Sequence, residues 1–220
     1  MARPGRFVVA IDGPAASGKG TLARRVAEHF GFAHLDTGLL YRATARLVLD
    51  ENGDPADPQA AASAALRVTP GLLGDARLRG DGVAQSASQV AAVPAVREAL
   101  LAFQRSFAAA PPGGTAGAVL DGRDVGTVVC PDAAVKLFVT ANAEERARRR
   151  LQELRGRGVP AIYEDVLEDM KKRDARDSGR RVAPLAAAPD AIIIDTTLLD
   201  PDQVFEQARQ RIARALVARR

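Results

Sequence analysis

The stretch Phe7-Val8-Val9-Ala10-Ile11-Asp12-Gly13-Pro14-Ala15-Ala16-Ser17-Gly18-Lys19-Gly20-Thr21 joins an apolar, β-branched run to a glycine-rich turn. Beyond it, Leu22, Val26, Ala27 and Phe30 fall on one helical face. Strand, turn and helix in that order are the setting a phosphate-binding loop requires. Gly13 and Gly18 let the backbone curl so that successive N–H groups face phosphate oxygens, and the helix that follows adds its positive end. Lys19 is placed to reach the terminal phosphates. In the strict motif a hydroxyl follows the lysine, whereas here Gly20 intervenes, so Thr21 is the candidate hydroxyl for Mg²⁺. Lys19 is also one of only four lysines among 31 basic residues, which sets it apart from ordinary solubilising charge.

A chain of 220 residues can bury a substantial core without covalent staples. Cys130 is the only cysteine, so no internal disulfide forms, and no Cys/His cluster has zinc spacing. With no signal-peptide pattern, the expected compartment is a reducing cytoplasm. No apolar run approaches the length of about 18 residues that a membrane span needs. The net charge of +4 and pI near 9.7 raise the question of nucleic acid. Aromatic residues make up only 4% and tryptophan is absent, which leaves few stacking platforms for bases. The charge fits both an Arg-rich composition with a modest excess and a pocket for small anionic molecules, and the two are compatible. No apolar stripe is left over for a partner, so a monomer is expected.

Outward from the loop, residues 32–36 read as a second strand and 37–49 as a helix, giving the strand–helix alternation of a parallel α/β sheet. From Asn52 to Val83 the turn signals Asn52-Gly53-Asp54-Pro55, Thr69-Pro70-Gly71 and Gly80-Asp81-Gly82 surround an Ala-rich helix and one or two short strands. This stretch reads as an insertion. A helix from Pro94 ends at Pro111-Pro112-Gly113-Gly114, and apolar strands follow at 118–121 and 135–139. Helices over 143–155 and 163–176, a buried strand at 191–195 and a closing helix over 201–216 complete five strands.

Asp121-Gly122-Arg123-Asp124 sets two carboxylates and a guanidinium at a strand's carboxyl end, where parallel sheets bind ligands. The planar donor fork of Arg123 suits a phosphate. Arg173-Asp174-Ala175-Arg176-Asp177-Ser178-Gly179-Arg180-Arg181 runs off a helix end into a loop, a form that can close over a transferring phosphoryl group and neutralise its charge. Thr37 stands as a helix N-cap, and Arg42, one turn in, is placed to hold an acceptor's phosphate.

Five separated motifs in register now carry a resemblance: I-D-G-P-A-A-S-G-K-G-T, L-D-T-G-x-x-Y-R, A-S-Q-V-A-x-x-P-x-V-R-E, D-G-R-D-V-G-T-V-V and R-D-x-R-D-x-x-R-x-V-A-P-L. Together they span nearly the whole chain, which resembles the bacterial cytidylate kinases. The resemblance implies a P-loop nucleoside monophosphate kinase fold: a central parallel five-stranded sheet flanked by helices. The core would comprise residues 1–60 and 99–220, with a lid at about 155–185 and a CMP-binding insertion at 61–98. It implies phosphoryl transfer from Mg·ATP to CMP and dCMP. Gly13, Pro14, Ala15, Ala16, Ser17, Gly18, Lys19, Gly20 and Thr21 would hold the ATP phosphates. Lys19, Arg123, Arg173 and Arg180 would act on the transferring group. Arg42, Arg123, Arg173 and Arg180 would hold CMP's phosphate or close on the phosphoryl group, Thr37 and Asp121 would belong to the CMP site, Ser88, Arg97 and Asp124 would read cytosine, and Asp177 would contact a sugar hydroxyl. The segment from Leu66 to Ser86 is short for the long bacterial form, so its insertion sheet is expected to be reduced.

The base-reading assignment also stands on chemistry. Cytosine offers an N4 amino donor beside acceptors at N3 and O2, and a carboxylate accepting from N4 is a recognised pairing. Uracil would set its O4 against Asp124, a buried acceptor–acceptor opposition that disfavours UMP. A kinase of another small acceptor would share the loop and strand order without needing Asp124, Arg97 and Ser88 together. A GTPase would need an N-K-x-D motif, which the chain lacks.

Overall fold

β1 (Phe7–Asp12), β2 (Ala33–Asp36), β3 (Gly117–Gly122), β4 (Val135–Thr140) and β5 (Ile192–Asp195) form one all-parallel sheet in the order β2-β3-β1-β4-β5. These positions come from a computed structural model that describes residues 6–219. β1 and β3 are central and covered on both faces, as their continuous apolar runs require. Alternation along β1 splits the core: Val9 and Ile11 pack with Leu22, Val26, Leu137 and Ile212 under α1 (Lys19–Phe30) and α8 (Pro201–Ala218). Ala10 faces the opposite cluster, with Leu40, Val90, Leu100 and Leu120. That second layer holds α2 (Thr37–Asp50), α3 (Pro58–Leu66), α4 (Asp81–Val90) and α5 (Pro94–Ala109). Ile11 is fully buried. An Ile11→Ala exchange should therefore lower unfolding free energy by about 2–5 kcal/mol, measured by denaturant titration.

α6 (Ala143–Gly156) and α7 (Tyr163–Ser178) make a hairpin with its own small cluster of Leu151, Leu154, Val166 and Met170. Ala15 and Ala16 of the phosphate loop pack against that cluster, so the hairpin sits on the loop's tip.

Three sequence expectations are corrected. The stretch from Asn52 to Val83 holds α3 and two short 3₁₀ turns, Pro70–Gly74 and Ala76–Arg79, and no strand among its described residues. Those turns pack against α2 and α4 and join no strand of the sheet. Asp75 fixes the second one by accepting the Arg77 N–H at 2.8 Å. Second, α2 is capped by Asp36, which accepts the Gly38 N–H at 2.9 Å, rather than by Thr37. Third, β5 pairs with β4 alone, and Ile193 is 54% exposed, so this apolar run is an edge rather than a buried strand.

Candidate active site

The register of the central strands decides what meets what. Ile11 pairs with Asp121 and Asp12 with Gly122, while Asp36 of β2 also pairs with Asp121. The phosphate loop, the Asp121–Asp124 segment and the start of α2 thus leave the same edge of the sheet side by side.

The loop's close packing requires glycine. A Cβ on Gly13 would lie 2.0 Å from the Val139 carbonyl oxygen, and Gly18 adopts a left-handed φ of 89° immediately before α1. Lys19 is half-buried, with Nζ 3.3 Å from the Pro14 carbonyl oxygen. Burial, with Arg123 adding repulsion, brings its pKa down to about 7. The Ser17 hydroxyl is buried with no hydrogen-bond partner among the described residues.

Two adjoining hollows open beside the loop. The first, about 180 Å³, lies between the loop and the α6–α7 hairpin, and the second, about 170 Å³, between the loop, α2 and α4. Lys19, Arg42, Arg123 and Arg173 line both. A wall shared by four cations marks the place where an anionic group can pass from one hollow to the other. Burial and the nearby Arg123 draw Arg173 down to about 10.

Ser88, Arg97, Asp124, Asp177 and Arg180 line the second hollow. Arg97 and Asp124 form a buried ion pair, and the Arg97 guanidinium lies 5.4 Å from the centre of the Tyr41 ring. Arg97 also donates to the Ala91 carbonyl at 3.2 Å. Asp177 collects a neighbouring set: it accepts from Ser88 Oγ at 3.1 Å and Arg123 Nε at 3.1 Å, and pairs with Arg180. Burial alone would raise this carboxylate, but Arg123, Arg180 and Arg173 hold it below its usual range. The Nε groups of Arg173 and Arg180 remain buried without a hydrogen-bond acceptor among the described residues. Unsatisfied buried guanidinium donors are what an incoming phosphate would occupy.

Thr37 lines the second hollow as well, and its hydroxyl donates to the Asp121 carbonyl at 2.8 Å. Asp121 lies 2.7 Å from His34 Nε2 and beside Asp36, whose pKa is raised by burial and by Asp121. Gly20 faces this carboxylate pair: a Cβ there would be 3.6 Å from Asp121 Oδ2. Thr21 does not join them. It lines a third hollow, about 360 Å³, on the far side of the loop with Ser17, Arg149 and Thr196. Thr196 Oγ1 donates to the Ser17 carbonyl at 3.0 Å, and Arg149 donates to Thr196 at 2.8 Å.

Several contributors escaped the sequence reading. Arg150 of α6 lines the first hollow and pairs with Glu153 at 2.7 Å. Arg146 is buried and pairs with Asp174 of α7 at 2.7 Å, tying the hairpin together beside the loop. Asp36 was legible in L-D-T-G at a strand end. The arginines of α6 carry no local signal beyond an exposed charged helix.

The model of the cytidylate kinase family matches residues 9–214. The chain belongs to the cytidylate kinase family. It is 59% identical over 201 residues to the cytidylate kinase of Paramagnetospirillum magneticum, covering 91% of this chain and 95% of that one. It is 58% identical over 209 residues to that of Granulibacter bethesdensis, with 95% and 98% covered. With the cytidylate kinase of Methylobacterium sp. strain 4-46 identity reaches 62% over 185 residues, 84% and 86% of the two chains. Such identity makes the chain a phosphotransferase. The fold is shared with the crystal structure of TT1252 from Thermus thermophilus, at TM-score 0.50 and 21% identity over 97% of this chain and 99% of that one.

Proposed function

We propose that this cytidylate kinase family member transfers the γ-phosphoryl group of Mg·ATP to CMP and dCMP. The observation that carries the reading is the second hollow. A buried Arg97–Asp124 pair stands in the same cleft as Arg42, Arg123, Arg173 and Arg180, and the cleft shares Lys19 with the phosphate loop. Asp124 supplies an acceptor for cytosine N4, while Arg97 and Ser88 supply donors for N3 and O2. Asp177 meets a sugar hydroxyl through the set of groups it already gathers. Segment 61–98 is the acceptor-binding insertion, although its Ala61, Ala65, Val83 and Val90 share one core with the sheet. The lid at 155–185 takes in α7 and the segments on either side of it. The small cation-walled hollows suit small nucleotides rather than nucleic acid, and the chain is proposed to act as a monomer. No helix among the described residues is long and apolar enough to cross a membrane.

Gly13 to Thr21 hold the donor's phosphates by backbone N–H groups, and the third hollow, with Arg149 and Thr196, takes the remainder of that nucleotide. The acceptor's phosphate is largely ionised at neutral pH and needs no strong base. What the protein contributes is in-line positioning, held by Arg42 and Arg123, and neutralisation of charge by Lys19, Arg123, Arg173 and Arg180. Among the described residues no three carboxylate, imidazole or thiolate groups converge into a metal cage. The Asp36–Asp121 pair beside side-chain-free Gly20 nonetheless fits Mg²⁺, which favours one or two carboxylates together with phosphate oxygens and waters. Those two aspartates, rather than Thr21, would hold it. When bound, the ion offsets phosphate charge.

An ATP-coupled assay across CMP, dCMP, UMP, AMP and shikimate tests the proposal. CMP and dCMP should be turned over well above the rest, and comparable turnover of CMP and UMP would sink it.

Lys19 adds a proton signature. Below pH 7 it is charged with or without nucleotide, but above its pKa of about 7 the free protein has lost that proton. Phosphates beside it favour the charged form, so binding takes up a proton and affinity falls as pH rises through that window. Calorimetric titration with a non-hydrolysable ATP analogue at about pH 8, in two buffers of different ionisation enthalpy, should show uptake approaching one proton. Heats that are independent of the buffer would contradict the neutral lysine.

A further inference from the structure

Asp12 ends β1 directly before the phosphate loop, yet it lines neither of the cation-walled hollows. It is 4% exposed. Its carboxylate is engaged by backbone outside that loop: Oδ1 accepts the Val125 N–H at 2.8 Å and Oδ2 accepts the Gly126 N–H at 2.7 Å. These are the two residues that follow Asp124. They open a single π-type turn, Val125–Val129, whose first N–H groups have no carbonyl of their own turn to bond.

The fit around this carboxylate is close. A Cβ on Gly126 would lie 3.4 Å from Asp12 Oδ2 and 3.3 Å from Lys136 Cδ, so the turn lies flat against Asp12 and the lysine stem. Lys136 Nζ itself pairs with Asp190 at 2.9 Å. Burial pushes Asp12 up to about 6, against the pull of the two N–H bonds, with Asp124 raising it and Arg123 lowering it. Asp12 pairs with Gly122 of β3 on one side and Phe138 of β4 on the other, so its anchor is among the most constrained points of the sheet.

We infer that Asp12 is a positioning residue for base selection: it clamps the turn that presents Asp124 and ties it to the strand that presents the phosphate loop. The inference rests on the proposed reading of Asp124 as the acceptor for cytosine N4. Two backbone donors need two acceptors, and a carboxylate provides both. An asparagine of the same size offers one, and turns its amide N–H₂ against the other backbone N–H. Losing one clamp bond lets the Asp124 carboxylate shift relative to the base while Lys19 and the loop backbone stay in place.

The test is competitive turnover of CMP and UMP in one reaction by wild type, Asp12→Asn and Asp124→Asn, with the KM for ATP and the melting temperature of each. Because both acceptors compete for the same active molecules, any unfolded fraction cancels from the ratio. Asp12→Asn should lower the CMP:UMP ratio of kcat/KM by about tenfold, in keeping with one charge-assisted hydrogen bond. Its KM for ATP should stay within about twofold of wild type, because the loop backbone is untouched. An unchanged ratio in Asp12→Asn, with the ratio lost in Asp124→Asn, would make Asp12 a structural carboxylate only and overturn the inference. An increase in KM for ATP at unchanged ratio would overturn it too, by assigning Asp12 to the donor side. If Asp124→Asn itself keeps the ratio, the base-reading proposal fails first, and the inference with it.

Discussion

Replacing Lys19 with alanine is expected to lower kcat by about 10³-fold or more, while the melting temperature holds or rises. The two halves of that outcome share a cause. Lys19 is half-buried at the meeting of the two hollows, and burial together with Arg123 depresses its pKa from 10.5 to about 7. Between those two values the unfolded chain binds more protons at this site than the folded one, so stability from this group improves as pH rises and is poorest below pH 7. A half-buried cation held at such a disadvantage costs the fold stability rather than adding to it. Its use lies in the wall shared by the two hollows, where Arg42, Arg123 and Arg173 surround the same point. On the proposed function, charge that spreads over the transferring oxygens would be stabilised there by groups already in place. Rapid-quench turnover beside a thermal melt separates the effects; a variant that loses activity only in proportion to lost folded protein would contradict the assignment.

The parts of this molecule that were legible in its sequence are those in which local pattern and partner coincide. Phe7 to Phe30 declare strand, loop and helix because the apolar run, Gly13, Gly18 and the helical face all lie within one stretch. The five strands and the long helices follow from similar short-range patterns. What failed was set by neighbours. Ile192, Ile193 and Ile194 look alike in sequence, yet only Ile194 is buried, because β5 was left at the sheet's edge by the chain's topology. The turn-rich stretch before α4 suggested strands, but Leu78 found its cover against helices. Thr37 and Asp36 are both good caps in isolation. The hydroxyl of Thr37 was drawn instead to the Asp121 carbonyl, 84 residues away, leaving Asp36 as the cap.

The site divides along the same line. Arg97, Asp124, Arg173, Asp177 and Arg180 were singled out from motifs, and the structure brings them into one cleft with Lys19 and Ser88. Asp12, Arg146, Arg149 and Arg150 were not: Asp12 and Arg146 meet partners distant in sequence, and Arg149 and Arg150 read as ordinary charges on a polar helix. Asp12 meets Val125 and Gly126 across more than 100 residues, at separations of 113 and 114. Thr21, chosen by motif offset, lies on the first turn of α1 and lines the third hollow, on the other side of the loop from the carboxylates.

Exchange of Asp124 for asparagine should reduce the preference for CMP over UMP by about 10²–10³-fold, the scale on which a hydrogen-bonding site rejects a ligand that leaves its groups unpaired. The carboxylate can only accept, so uracil's O4 meets a repelling oxygen, whereas cytosine's amino group is matched. An asparagine can turn its amide to donate to O4, which both weakens CMP and admits UMP. Stability must be read alongside, because Asp124 and Arg97 are each about 8% exposed at their side chains and neutralise one another. Removing the acceptor altogether, as in Asp124→Ala, leaves Arg97 a buried charge without its partner and should cost about 3–5 kcal/mol. Asparagine keeps an acceptor toward Arg97 Nη2, so the loss of stability should be smaller and the loss of selectivity still large. If the alanine and asparagine variants lose stability to different degrees yet both keep the wild-type CMP:UMP ratio, the pair serves the core alone. If the ratio falls in both while only alanine melts early, the same carboxylate holds the arginine and reads the base.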